Sequence, residues 1–185
     1  MQITGGKNRG RKIKPVKNPV IRPSKAVVRE ALFSVLGPNC CSGKQIADFF
    51  SGSGIMTLEA LSRGAETAYS VDSDPDSCNL IRDNFAYLKV LDNARVLQMS
   101  VAQAISKLAD LNLHFDIVFL DPPYHLPQLG VDAIEQSAAA QILAPDAKVI
   151  FEHRSKTKIP ECKSMSLWKQ KKYGQSMLSF YVFPH

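Results

Sequence analysis

The apolar run FDIVFL leads directly into DPPY at residues 121–124, a carboxylate, two prolines and an aromatic ring. Pro122 and Pro123 hold φ at about −65°, so the carbonyls of this corner keep one direction and lose little freedom on binding. A fixed carbonyl beside a carboxylate can accept both hydrogens of an exocyclic amine. Such acceptors draw the nitrogen toward pyramidal geometry and localise a lone pair otherwise delocalised into a base. Tyr124 can stack on a base taken out of its helix. The candidate catalytic group is therefore Asp121, Pro122 and Tyr124. His125 adjoins it and is read as an exposed bystander.

A second constellation lies upstream. DFFSGSG covers residues 48–54 and follows another apolar run. Gly52 and Gly54 present no Cβ, which lets a ligand approach the backbone, and a helix N-terminus after them offers free N–H groups. The third glycine of a GxGxxG loop is absent, which disfavours a nicotinamide cofactor. The next apolar run ends in Val71-Asp72, where a carboxylate can accept both hydroxyls of a ribose. Asp74 is the natural cap for a helix starting at Pro75, which leaves Asp72 for the ligand. Together these features predict a nucleoside-containing cofactor.

Both constellations need a scaffold that brings strand ends together. From residue 45 onward, QIADFF, TAYSVD, ARVLQM, FDIVFL and AKVIFEH read as strands, each pair separated by a helical pattern. Continuous apolar strands alternating with helices predict an open, doubly wound α/β domain with a mostly parallel sheet. Ligands of such sheets bind at the carboxyl ends of the strands. SMSLWKQKKYG and QSMLSFYVF then predict a C-terminal antiparallel hairpin. Ahead of the domain, ITGG and RKIKPV read as short strands around a turn. A helix opens at Pro23-Ser24 and stops at Gly37-Pro38, with Val27, Val28, Ala31, Leu32, Val35 and Leu36 facing inward and Lys25 and Arg29 exposed. The organisation expected is a basic N-terminal arm and helix over residues 1–37, then one domain over residues 38–185.

Charge is segregated along the chain. The net charge is +6, yet residues 1–30 hold nine Lys/Arg against Glu30, and residues 154–172 hold seven against Glu161. The residues between are acidic, with fifteen Asp/Glu against seven Lys/Arg. Two basic flanks on an acidic body point to a polyanionic partner, most simply nucleic acid. Lys7, Arg9, Arg11, Lys12, Arg22, Lys25 and Arg29 are the candidate contacts, and residues 1–22 are expected to clamp the polyanion without being needed by the fold. The four cysteines form no CxxC pair and read as reduced structural thiols, with no metal expected. MQITGGKNRGRK carries no apolar h-region, and no run approaches a membrane span, so a cytoplasmic protein without membrane contact, and a monomer, is expected.

DFFSGSG, VDSD and LDPPY, in this order and spacing, resemble the S-adenosylmethionine-dependent methyltransferases that act on exocyclic nitrogens. More narrowly, ITGGKNRGRKI, RPSKAVVREALFSVL and DFFSGSGIMTLEALSRGA closely resemble the bacterial 16S rRNA guanine-N2 methyltransferase family, across nearly the whole chain. The resemblance implies a Rossmann-like class I fold, S-adenosylmethionine as methyl donor, no metal, and 16S rRNA as substrate, free or within a small-subunit assembly particle. It places Asp48, Ser51, Gly52 and Gly54 in the cofactor loop and Asp72 at the ribose. Ser100 stands where relatives carry an acid or amide near the adenine, and backbone at Val101 could serve instead. Asp121, Pro122 and Tyr124 match the catalytic corner. The rival readings are a DNA adenine-N6 methyltransferase, for which 185 residues leave little room for a target-recognition region, and a non-catalytic RNA-binding assembly protein.

Overall fold

The computed structural model describes residues 1–15 and 25–183, the side chain of Lys25 excepted. Among these residues seven strands form one sheet: β1 (Gln45–Phe49), β2 (Thr67–Asp72), β3 (Ala94–Gln98), β4 (Phe115–Leu120), β5 (Leu143–Arg154), β6 (Ser166–Tyr173) and β7 (Ser176–Val182). Their order is β3-β2-β1-β4-β5-β7-β6. The first five run parallel, and β7 and β6 close that edge antiparallel. The hairpin turns at Gly174, whose φ of 58° suits glycine. The chain is thus a Rossmann-like α/β fold with a C-terminal antiparallel hairpin.

Among the described residues, five helices cover the two faces: α1 (Lys25–Leu36), α2 (Ile55–Ser62), α3 (Pro75–Leu88), α4 (Val101–Asp110) and α5 (Gln128–Ala139). On α4 the buried residues Val101, Ala104, Ile105 and Leu108 recur at helical spacing and, with Val131 and Ile134 of α5, fill one core. The other core joins Val28, Leu32, Phe33 and Leu36 of α1 to α2, α3 and the strand residues Phe119, Ile150, Leu178 and Phe180. Each such side chain contributes about 1.5–3 kcal/mol of transfer free energy when fully buried. Asp74 caps α3 by accepting from Ser77 N at 2.8 Å, with Pro75 in the first turn. No described helix is long and apolar enough to cross a membrane.

The structure corrects the expected orientation of α1. Arg29 is only 6% exposed, whereas Val27 faces out. Phe33 extends the apolar stripe past the residues chosen by periodicity and turns the helix, carrying Arg29 inward. There its Nε donates to Glu59 Oε1 at 3.2 Å and its Nη2 to the Gln2 carbonyl at 2.8 Å. Arg29 is therefore not an exposed contact for a polyanion. Arg22 and the side chain of Lys25 lie outside the described residues.

The N-terminal arm is likewise docked. A Gln2–Lys12 bridge closes its turn, and Ile3 and Ile13 are buried in the α1-side core. Thr4 N donates to Glu59 Oε1 at 2.7 Å, Lys7 N to the Ser62 carbonyl at 2.8 Å, and Lys14 N to Asn84 Oδ1 at 3.0 Å. Its backbone is part of the body, while Lys7, Arg9, Arg11 and Lys12 point outward and stay exposed.

Candidate active site

The parallel register sets the site. Phe49 of β1 lies opposite Leu120 of β4, so the SGSG loop and DPPY leave the sheet side by side. β2 departs on the other side of β1, and Asp72 closes it. This is the place where strand order reverses, and the helices leave a crevice there.

The loop after β1 is conformationally demanding. Phe50, Gly52 and Gly54 have φ values of 63°, 58° and 76°. A left-handed phenylalanine costs on the order of 1–3 kcal/mol and persists only when its surroundings hold it. Those surroundings are visible. Asp48 is buried below the loop, where Oδ2 accepts from Ser51 Oγ at 2.6 Å and from Thr57 N and Oγ1 at 3.2 and 3.0 Å. Burial pushes its carboxyl up to about 6, against the opposing effect of those donors, and the Asp121 charge adds to the rise. A Cβ on Gly54 would lie 3.1 Å from Ile81 Cγ2 and 3.2 Å from Phe85 Cε1, closer than ordinary contact, and its left-handed φ also favours glycine.

Asp72 is tied to the same loop. Its Oδ2 accepts from Gly52 N at 2.8 Å and its Oδ1 from Asp74 N at 3.0 Å. Each oxygen retains a second acceptor site. The carboxylate is thereby aimed at a cleft of about 510 Å³ bordered by Phe50, Gly52, Asp72, Met99, Val101 and Asp121. That volume is in the range of small-molecule sites. Ser100 also borders the cleft, but its hydroxyl serves a capping box with Gln103, so the first turn of α4 presents Val101 and Ala102 instead. Of the seven residues expected at a cofactor, Gly52, Asp72, Ser100 and Val101 border this cleft, whereas Asp48, Ser51 and Gly54 shape the loop behind it.

Asp121 borders two cavities. One is the main cleft, and the other is a narrow space of about 50 Å³ between α1 and the sheet, with Val28, Leu32, Ile150, Leu178 and Glu152 around it. Pro122 is buried and Pro123 faces the main cleft. The ring of Tyr124 is held by its far end: its hydroxyl and that of Ser176 both donate to Glu152 Oε1, at 3.1 and 2.9 Å. His125 is exposed beside this corner.

Sequence reasoning missed the outer wall of the cleft, which is α5. Leu129, Asp132, Ala133 and Gln136 border it from one helical face. Their i, i+3, i+4, i+7 spacing was the available signal, since the helix after DPPY must return over the same strand ends. Phe50 and Met99 were missed as well.

A family model described as conserved hypothetical protein 95 matches residues 1–182. Ribosomal RNA small subunit methyltransferase D of Escherichia coli strain K12 is 34% identical over 184 residues, covering 98% of this chain and 89% of the relative. The chain belongs to the rRNA small-subunit methyltransferase family. The Haemophilus influenzae protein of the same name is 31% identical over 175 residues, covering 94% of this chain and 89% of the relative. A solved Escherichia coli structure, yhhF, superposes with a TM-score of 0.79 at 35% identity and covers 99% of this chain and 97% of its own. The family match spans the docked arm, α1 and the whole seven-stranded sheet.

Proposed function

We propose that this chain transfers a methyl group from S-adenosylmethionine to the exocyclic N2 amine of a guanine in 16S rRNA. The observation that carries the reading is Asp121, a carboxylate on a proline-stiffened corner, standing between a nucleoside-sized cleft and a narrow opening toward α1. The rRNA substrate follows the names of the relatives, an exocyclic amine follows the chemistry of the corner, and guanine N2 is what the family resemblance implies.

The residues present fit the donor. Asp72 would accept the ribose hydroxyls through the acceptor sites that Gly52 and Asp74 leave. Phe50, Met99 and Val101 offer apolar surface to a flat ring, and Gly52 lets the remaining chain approach the loop backbone. When bound, S-adenosylmethionine supplies an electrophilic methyl group on a sulfonium centre.

The protein's task is then alignment. Asp121 and the Pro122 carbonyl accept the two amine hydrogens and point the nitrogen lone pair into the main cleft. Tyr124, pinned through Glu152 and Ser176, offers a ring face that costs no ordering on binding. Once the nitrogen bears the new bond it is acidic, so its proton leaves without a strong base. Lys7, Arg9, Arg11 and Lys12, exposed on the docked arm, are proposed to hold rRNA phosphates.

The decisive experiment incubates the protein with labelled S-adenosylmethionine and 16S rRNA from a strain lacking the gene, then digests the RNA for mass spectrometry. N2-methylguanosine at one position is the expected product. Label in adenosine, or none in RNA, would overturn the assignment.

A further inference from the structure

The far edge of the sheet carries a second feature that methyl transfer alone does not require. Trp168 on β6 is 49% exposed, as is its neighbour Leu167. Lys148 Nζ stands 5.6 Å and Lys169 Nζ 5.5 Å from the centroid of the Trp168 ring. Phe180 holds the ring edge-on from below, with centroids 6.2 Å apart. Lys169 lies opposite Phe180 and Lys171 opposite Leu178 across the antiparallel ladder, so both share the face of those core residues. Lys148 alternates with Ile150 on β5 and shares it too. One face of the hairpin and the adjoining β5 thus presents an upright indole among three lysines.

That face is continuous with the active site. Glu152 lies opposite Leu178, and Leu178 opposite Lys171. Lys171 is therefore two strand spacings, about 10 Å, from the residue that anchors Tyr124. The narrow opening beside Asp121 is bordered by the same Ile150, Leu178 and Glu152. Lysine on an edge strand commonly serves to discourage edge pairing. Edge protection explains neither a half-exposed tryptophan nor Lys148, which sits on an interior strand.

We propose that this face of the β6–β7 hairpin docks a single-stranded RNA segment flanking the target guanine, with Trp168 stacking on an unpaired base and Lys148, Lys169 and Lys171 meeting its phosphates. The inference rests on the rRNA reading of the active site. Charge complementarity selects a polyanion, and an upright exposed ring selects unpaired bases, because bases within a duplex offer it no free face. On binding, the flexible lysine stems swing their ammonium groups from the ring to the backbone.

Trp168 is the single tryptophan of the chain, so fluorescence excited beyond the tyrosine absorption band reports on this residue alone. Titration with a short oligouridylate and with deproteinised 16S rRNA is expected to quench it. Trp168→Ala should weaken RNA binding about tenfold, with Trp168→Phe recovering most of the loss. The triple variant Lys148→Gln, Lys169→Gln, Lys171→Gln should reduce the log–log salt slope by about 0.7 per phosphate contact removed. Circular dichroism and S-adenosylmethionine affinity should match the wild type in all three. RNA that binds without quenching, and as tightly to Trp168→Ala as to the wild type, overturns the docking surface even if methylation proceeds. Failure of the wild type to methylate rRNA while quenching persists would instead overturn the reading of the active site and leave this surface standing.

Discussion

At the scale of single residues, three carboxylates in one small region have different tasks, and each task has its own signature. The role proposed for Asp121 is a bond to the reacting amine, so Asp121→Ala is expected to leave S-adenosylmethionine affinity near normal while lowering turnover. One lost charge-assisted bond is worth about 1.5–3 kcal/mol, a ten- to hundredfold fall in rate. Single-turnover kinetics beside calorimetry separates the two quantities. Asp72→Ala should show the reverse, a weaker affinity with rate largely restored at saturating donor, because the ribose bonds proposed for it would be equally present in ground and transition states. It should also loosen the loop, since Gly52 N and Asp74 N lose their acceptor. Asp48 lies buried beneath the loop and borders the narrow space beside Asp121, and pH reports on its burial. Its carboxyl is raised from 3.8 to about 6. Between those values the unfolded chain has released a proton that the folded chain still holds, so stability falls as pH rises through the window and is level above it. The shift corresponds to at most about 3 kcal/mol. Asp48→Asn is expected to flatten the dependence of the urea midpoint on pH across that window, whereas an unchanged slope would assign it to other groups.

At the scale of elements, α1 and α2 are joined by charge inside an apolar interface. Glu59 is fully buried on α2, pairs with Arg29 at 3.2 Å and Arg63 at 3.4 Å, and accepts from Thr4 N. Arg63 also lies over the Phe33 ring at 4.1 Å. One carboxylate thus fastens the arm, α1 and α2 together. Removing a single partner of a buried pair strands the other charge, at a cost of about 3–5 kcal/mol. Glu59→Ala should therefore lose that much in denaturant unfolding, far beyond the cost of a surface substitution. A loss below about 1 kcal/mol would show that Arg29 finds solvent by turning α1.

For the molecule as a whole, the arm is both scaffold and basic surface. Ile3 and Ile13 are buried, and backbone donors from Thr4 to Lys14 end on α2 and α3. Those helices carry the packing around Gly54, and so the donor loop. Deletion of residues 2–13 is expected to lower the melting temperature and S-adenosylmethionine affinity together. Neutralising only Lys7, Arg9, Arg11 and Lys12 should spare both and weaken RNA binding with a flatter salt dependence. Differential scanning fluorimetry with and without the donor checks the pair, and a deletion that melts like the full chain would return the arm to the role of a detachable clamp.

Much of this was written locally. Apolar runs marked the strands, Asp74-Pro75 marked the start of α3, and the alternation of patterns placed DPPY beside the glycine loop, because backbone preference and side-chain period act over a few residues. What depended on distant partners had no local trace. The inward place of Arg29 depended on Glu59, 30 residues beyond it, since a guanidinium enters a core only where a carboxylate already waits. At Gly54 a Cβ would also crowd Ile81 and Phe85 of α3, which only the packed helix reveals. Tyr124 owes its orientation to Glu152 and Ser176, 28 and 52 residues away. The α5 wall of the cleft exists only once that helix has crossed the strand ends. Sequence alone determined which chemical groups this protein carries and which strand ends bear them. The tertiary structure decided which of those groups face the cleft and which hold the scaffold, because burial and charge pairing are settled by the whole packed chain.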